Sequence, residues 1–154
     1  PLGSVGTSVS SDRKIFTMIF DRFVASTGAG VPITESRKGS QINLELNGKG
    51  RAVFAESLRG YVQLPAGATA TVTTTLIDPK NPKHNQVNQV EFVGPISKDY
   101  LLDTPFVIKA KGSEPEATLQ VHIQILSANP GPNAQLTVDS LDGKFMSSSE
   151  ANQE

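Results

Sequence analysis

The chain has 154 residues and a net charge of −1, with 37% hydrophobic and 19% charged residues, enough for one domain whose core needs no staples. The absence of cysteine excludes disulfides, thiolate nucleophiles and cysteine-ligated zinc. Basic residues are scattered as pairs (Arg13-Lys14, Arg37-Lys38, Lys109 with Lys111), which is no nucleic-acid footprint, and no apolar run approaches the roughly 18 residues of a membrane-spanning helix.

In chain order, Pro1-Leu2-Gly3-Ser4 reads as the scar of a cleaved fusion tag. Residues 5–12 read as a flexible lead-in, 13–143 as a single β-sandwich domain and 144–154 as a flexible tail. The run KIFTMIFDRFVA at 14–25 predicts one long strand, with Phe16, Met18 and Phe20 on one face. Glycines and Pro32 make the next stretch a loop. Asn47-Gly48 is a hairpin signal. A four-residue loop over 47–50, pairing Leu44 with Val53 and Ile42 with Ala55, keeps apolar residues on one face.

A short strand at 61–64 ends at Pro65-Ala66-Gly67. In ATATVTTTLID, Ala70, Val72, Thr74 and Leu76 share one face, and Thr69, Thr71, Thr73 and Thr75 a solvated one. Residues 78–88 read as a polar loop with two prolines. A strand at 89–93 turns Val90 and Phe92 inward, and Gly94-Pro95 ends it. Residues 96–104 look irregular, with one helical turn at 99–102, before a half-buried strand carrying Phe106, Ile108 and Ala110. The clearest strand is ATLQVHIQIL, with Leu119, Val121, Ile123 and Ile125 inward and Gln120, His122 and Gln124 outward. After Asn129-Pro130-Gly131-Pro132, residues 135–139 form a last strand, which either closes its own sheet or exchanges with a neighbouring subunit.

About eight strands without alternating helices predict an all-β, antiparallel two-sheet sandwich of seven to nine strands, Ig-like or jelly-roll. The expected core is Phe16, Met18, Phe20, Leu44, Val53, Val72, Leu76, Phe92, Ile108, Leu119, Val121, Ile123 and Ile125. The run YVQLPAGATATVTTTLIDP resembles Ig-like extracellular modules in its proline–small–glycine turn before a Thr/Val strand, a likeness too generic to assign a family.

Two constellations carry the functional reading. Gln120, His122 and Gln124 form an outward polar row able to hydrogen-bond a glycan or small ligand; the bland alternative is an ordinary solvated strand. Asp78, Asn81, His84, Asn85 and Asn88 cluster in one loop, a candidate partner-binding tip. Calcium there is disfavoured by two interspersed lysines and the missing EF-hand pattern, and neither metal nor cofactor is expected. A catalytic triad would have to recruit His84 or His122, and no nucleophile-elbow motif is present. Carboxylate pairs such as Glu45 with Glu56, or Glu91 with Asp99, are too common to signify. The chain therefore reads as a non-enzyme. Its expected role is an extracellular or particle-surface module for protein–protein interaction or self-association, of pilus, biofilm-matrix or virion-surface type. Glycan binding around His122 is the alternative, weakened by the absence of tryptophan for sugar stacking.

Overall fold

The computed structural model describes residues 5–9, 15–45, 51–77, 85–109, 116–127 and 132–146. Among these lie eleven strands: β1 (Val5–Val9), β2 (Ile15–Phe20), β3 (Val24–Thr27), β4 (Arg37–Glu45), β5 (Arg51–Leu64), β6 (Ala68–Ile77), β7 (Gln86–Val93), β8 (Ile96–Lys109), β9 (Glu116–Ser127), β10 (Ala134–Thr137) and β11 (Ser140–Met146), with a single 3-10 turn at Ile33–Ser36. A four-stranded sheet runs β4-β9-β6-β7. In the seven-stranded sheet β5 is central, with β8 along one side and β11 and β10 along the other; β11 continues to β2 and β1, and β10 to β3. Every pair is antiparallel.

The pairing is nested. β2 pairs β11, β3 pairs β10, β4 pairs β9, β5 pairs β8 and β6 pairs β7. From Ile19 opposite Ser140 to Thr69 opposite Val93, each step forward on one arm is a step back on the other, with the offset drifting by only three residues. The chain is one long two-armed ribbon, folded over itself so that from β3 to β6 on one arm, and from β7 to β10 on the other, consecutive strands fall into alternate sheets. That winding is a jelly roll rather than an Ig-like key.

Side-chain alternation places the core between the sheets. β6 buries Ala68, Ala70, Val72, Thr74 and Leu76, and β9 buries Leu119, Val121, Ile123 and Ile125. Facing them are Met18, Phe20, Phe23, Ala25, Leu58, Val62, Leu64, Phe106, Leu136, Val138 and Leu141. Burying each large aliphatic or aromatic side chain contributes about 1.5–3 kcal/mol. Of the expected core, Phe16, Leu44, Val53 and Ile108 lie outside the residues whose side chains are described; the others named are buried.

The expected single strand over 14–25 is broken, for a reason visible in the burial. Met18 and Phe20 point inward from even positions, whereas Phe23 and Ala25 point inward from odd ones. Strict alternation cannot bury both sets, so the backbone changes phase between β2 and β3, and Phe20 meets Phe23 edge-on at 5.3 Å. The opposite arm changes phase at the same level: Leu136 and Val138 are buried before the break and Leu141 after it. Val138 N–H donates to Phe23 O (2.9 Å) and Phe20 N–H to Asp139 O (3.0 Å), tying the two breaks together.

The ribbon crosses between sheets at Pro65-Ala66-Gly67 and again at Gly94-Pro95. Gly94 N–H donates to Ala68 O at 2.9 Å. A Cβ on Gly94 would overlap the Pro65 carbonyl, so only glycine lets the two corners lie side by side. A second close approach occurs where β5, β8 and β10 meet. Gly60 faces Tyr100 in register, and the tyrosine ring crosses over it to donate its hydroxyl proton to Thr137 O. Tyr61 N–H donates to Thr137 Oγ1 at 2.9 Å. A Cβ on Gly60 would overlap both the Thr137 carbonyl and the Tyr100 hydroxyl. Burial, reinforced by the Asp139 carboxylate, pushes the Tyr100 phenol well above its ordinary value near 10.

Several expectations are corrected. β4 and β5 do not form a hairpin across 47–50, residues that lie outside the description. Leu44 pairs instead with Ala117 in one sheet, and Val53 with Val107 and Met146 in the other. An Asn-Gly turn is a local preference, and the long-range ladders of β9 and β8 outweigh it. Residues 96–104 are neither irregular nor helical but the first part of β8, a continuous 14-residue strand. The adjacent Leu101 and Leu102 hide its alternation. Val5–Val9 of the expected lead-in pairs with β2 as β1, and β11 runs through Met146, past the expected boundary at 143. Of the two alternatives for 135–139, closure of its own sheet is the one observed: β10 lies between β3 and β5.

Two outcomes follow. Val121→Asp or Ile123→Asp leaves a buried, unpaired carboxylate costing several kcal/mol against a total stability of about 5–15 kcal/mol, so the strand-dominated circular dichroism spectrum will be lost. Tyr100→Phe leaves the Thr137 carbonyl without its donor and destabilises by about 1–3 kcal/mol in urea unfolding. Because folding raises the Tyr100 pKa, the neutral phenol's contribution is complete below the unfolded value near 10 and falls as pH rises beyond it. Wild-type stability will drop above pH 10, and Tyr100→Phe will lack that component.

Candidate functional site

The outward face of the four-stranded sheet is assembled from cross-strand rows. Register places Gly39, His122, Thr73 and Gln89 in one row and Gln41, Gln120, Thr75 and Val87 in the next; Arg37, Gln124, Thr71 and Glu91 lie on the other side of the His122 row. The outward threonines foreseen on β6 are the middle column of this surface, each half-buried between its neighbours.

Gln120 and His122 meet at an open trough of about 490 Å³, also lined by Gly39, Ser40, Gln41, Thr73, Thr75 and Val121. Gly39 is the reason a depression exists: any side chain there would begin at a Cβ 3.4 Å from His122 Nδ1 and would fill the space beside the imidazole. Gln120 Nε2 donates to Gln41 Oε1 at 3.1 Å. This pair occupies one donor and one acceptor, and each amide retains further hydrogen-bonding capacity. The lining carries amides, hydroxyls and one imidazole, with no carboxylate, lysine or arginine.

Gln124 stands apart from the trough lining, one row away. With its amide carbonyl turned toward Arg37, the orientation that satisfies both groups, it accepts from the guanidinium at 3.0 and 3.1 Å. The expected trio is therefore divided: Gln120 and His122 share a concave surface, while Gln124 holds an arginine beside it. Sequence reasoning missed Gly39, Ser40 and Gln41, which β4 brings alongside β9 from 79 positions away in the case of Gln41. Spacing along β9 alone gives no signal for them.

The expected partner loop is partly outside the described residues, which exclude Asp78, Asn81 and His84. Asn85 is exposed immediately before β7. Asn88 is not a loop residue but lies within β7, and its carbonyl accepts from Thr74 Oγ1 at 3.5 Å. Glu91 and Asp99 are both exposed but sit on different sheets, β7 and β8, so they form no carboxylate pair. Among the described residues no three His, Cys, Asp or Glu side chains are grouped to hold a metal ion, and no helix is long and apolar enough to cross a membrane.

Among the described residues five strands have a single neighbouring strand, and they differ in how they are guarded. β1 and β3 are short, at 5 and 4 residues. β4 begins with Arg37 and Lys38, and β8 carries Lys98, Asp99, Asp103, Pro105 and Lys109. β7, with the sequence QVNQVEFV, has 8 residues, no proline or basic residue and one charge, Glu91. Val87 and Val93 are each 61% exposed on its outward face. Edge strands in folded proteins are normally blunted by shortness, lysine, proline or bulges; β7 has none of these.

The model of a domain of unknown function (DUF4360) matches residues 1–152, and the chain belongs to that family. An "Uncharacterized secreted protein" of Arthroderma benhamiae is 31% identical over 153 residues, covering 94% of this chain; the chain spans 62% of that relative's length. Among solved structures, that of infectious bursal disease virus Gx strain superposes with a TM-score of 0.51 at 12% identity, over 94% of this chain and 32% of the viral one. The infectious bursal disease virus VP2 subviral particle gives 0.48 at 12% identity over the same shares. At such identities the likeness is one of fold alone.

Because Gln120, His122 and Gln124 point outward from β9 and support no core packing, alanine at any one of them will change unfolding free energy by no more than about 0.5 kcal/mol. Urea denaturation of the three single variants checks this. A larger loss would identify the row as structural.

Proposed function

We propose that this DUF4360 member is a non-catalytic extracellular surface module that engages a protein partner by strand addition at the β7 edge. The unguarded β7 edge carries this reading. Among the described residues no strand lies beyond β7, and the backbone donors and acceptors on its side away from β6 offer main-chain affinity to an incoming strand, while the alternating side chains offer selectivity. The secreted relative supports the extracellular assignment, as does a composition rich in threonine, serine, asparagine and glutamine relative to charge.

The test is strand uptake. A peptide copying residues 86–93 will bind the chain, and β7 amides will gain protection from hydrogen exchange. A Val87→Lys/Val93→Lys variant, altered only at exposed positions, will keep its fold and lose at least tenfold in peptide affinity. Equal uptake by the variant, or none by the wild type, would overturn the reading.

The trough supports a second reading, a neutral glycan or small polar ligand held by Gln41, Gln120 and His122. Glycan-array binding that disappears in the Gln120→Ala/His122→Ala/Gln124→Ala variant, with β7 intact, would favour it. A blank array with intact strand uptake would reject it.

A further inference from the structure

We infer that the strand which β7 accepts is the β7 of a second copy of this chain, paired antiparallel in the register that sets Val90 opposite its own symmetry mate. This rests on the edge reading above and commits it to one occupant. The argument is self-complementarity. Continuing a sheet across a two-fold axis requires outward residues to face outward residues, so β7 can meet itself only in registers that keep odd positions opposite odd ones.

Those registers are few, and their outward pairs differ. Centring on Val90 sets Val87 opposite Val93 of the second copy and Gln89 opposite Glu91, each twice by symmetry. The exposed valines, 61% accessible in the isolated chain, then cover one another at both ends. Glu91 lies beside an amide able to donate to it. Centring on Glu91 opposes the carboxylate to itself, a like-charge pair that destabilises antiparallel strands. Centring on Gln89 sets Val87 against Glu91 and gives Val93 no apolar mate within the strand. On the inward side, the Val90 register puts the two Val90 side chains together. They are partly buried and packed against the core. The product is a continuous eight-stranded sheet, four strands from each copy, closed by two-fold symmetry.

The absence of native cysteine makes the register directly readable. Val87→Cys and Val93→Cys variants, both at exposed positions, are oxidised mildly, separately and as an equal mixture, and resolved under non-reducing denaturing conditions. Sedimentation of the wild-type chain across concentrations gives the oligomeric state. The inference expects a concentration-dependent dimer, strong cross-linking in the mixture and at least tenfold less in either variant alone. Cross-links formed equally by each variant alone would mark random collision and overturn it. Efficient self-linking of Gln89→Cys would move the axis and overturn the register. A wild-type chain that stays monomeric while still taking up the 86–93 peptide would overturn self-pairing and leave the edge reading standing. Loss of both would remove the two together.

Discussion

Antiparallel registry between the two arms of the ribbon is the constraint from which the rest of the architecture follows. Once β6 lies against β7 in register, β5 and β8 are already aligned where the ribbon crosses to the other sheet, and the same holds outward through β4 with β9, β3 with β10 and β2 with β11. The sheets are then largely a matter of where the ribbon bends. Two of the bends are the paired corners at 65–67 and 94–95; another is the matched phase change at 21–23 and 138–139. At each of these levels both arms must bend together, since a bend in one alone would break the ladder. The hydrogen bonds from Gly94 to Ala68 and from Val138 to Phe23 are where this coordination is visible.

The trough and the open edge are products of that winding. β4 is brought beside β9 by the third nested pair, which sets Gly39 opposite His122 and Gln41 opposite Gln120. β7 becomes a border because its ribbon partner β6 is taken on the other side by β9, while the chain after Val93 leaves for the opposite sheet. Tyr100 closes the facing layer: its ring lies 5.2 Å from Phe92 of β7 and its hydroxyl reaches Thr137. One aromatic side chain thus connects the back of the border strand to the junction of β5, β8 and β10.

What could be read from the residues was what each strand records about its own two faces. β6 and β9 alternate without interruption, and their buried and exposed positions are as the alternation implies. β8 was obscured because adjacent Leu101 and Leu102 blur the period, and β11 because SLDGKFM has too few large apolar residues to declare a face. Asn47-Gly48 misled because a turn dipeptide reports local preference, whereas the partners of β4 and β5 are decided by ladders to β9 and β8, far away in the chain. The site divides on the same line. Gln120 and His122 were legible as outward polar residues, but the glycine, serine and glutamine completing the trough come from β4 and become neighbours only through topology. The edge was legible in composition once its position was known: the eight letters of β7 show the missing lysine and proline, but not that the strand lies at a border.

The nested pairing also bears on how the chain finds its structure. Thr17 and Asp142, hydrogen-bonded at 2.7 Å, are 125 residues apart in sequence, and closing such a loop directly is slow and entropically costly. In a ribbon that cost need not be met all at once. After β6 and β7 zip together, the loop that β5 and β8 must close shrinks to two short corners, and each later pair inherits ends already held close. Assembly from the 77–85 connection outward turns a set of distant contacts into a succession of local ones. On that route the innermost strands come together first, and the outermost pair, β2 with β11, closes last.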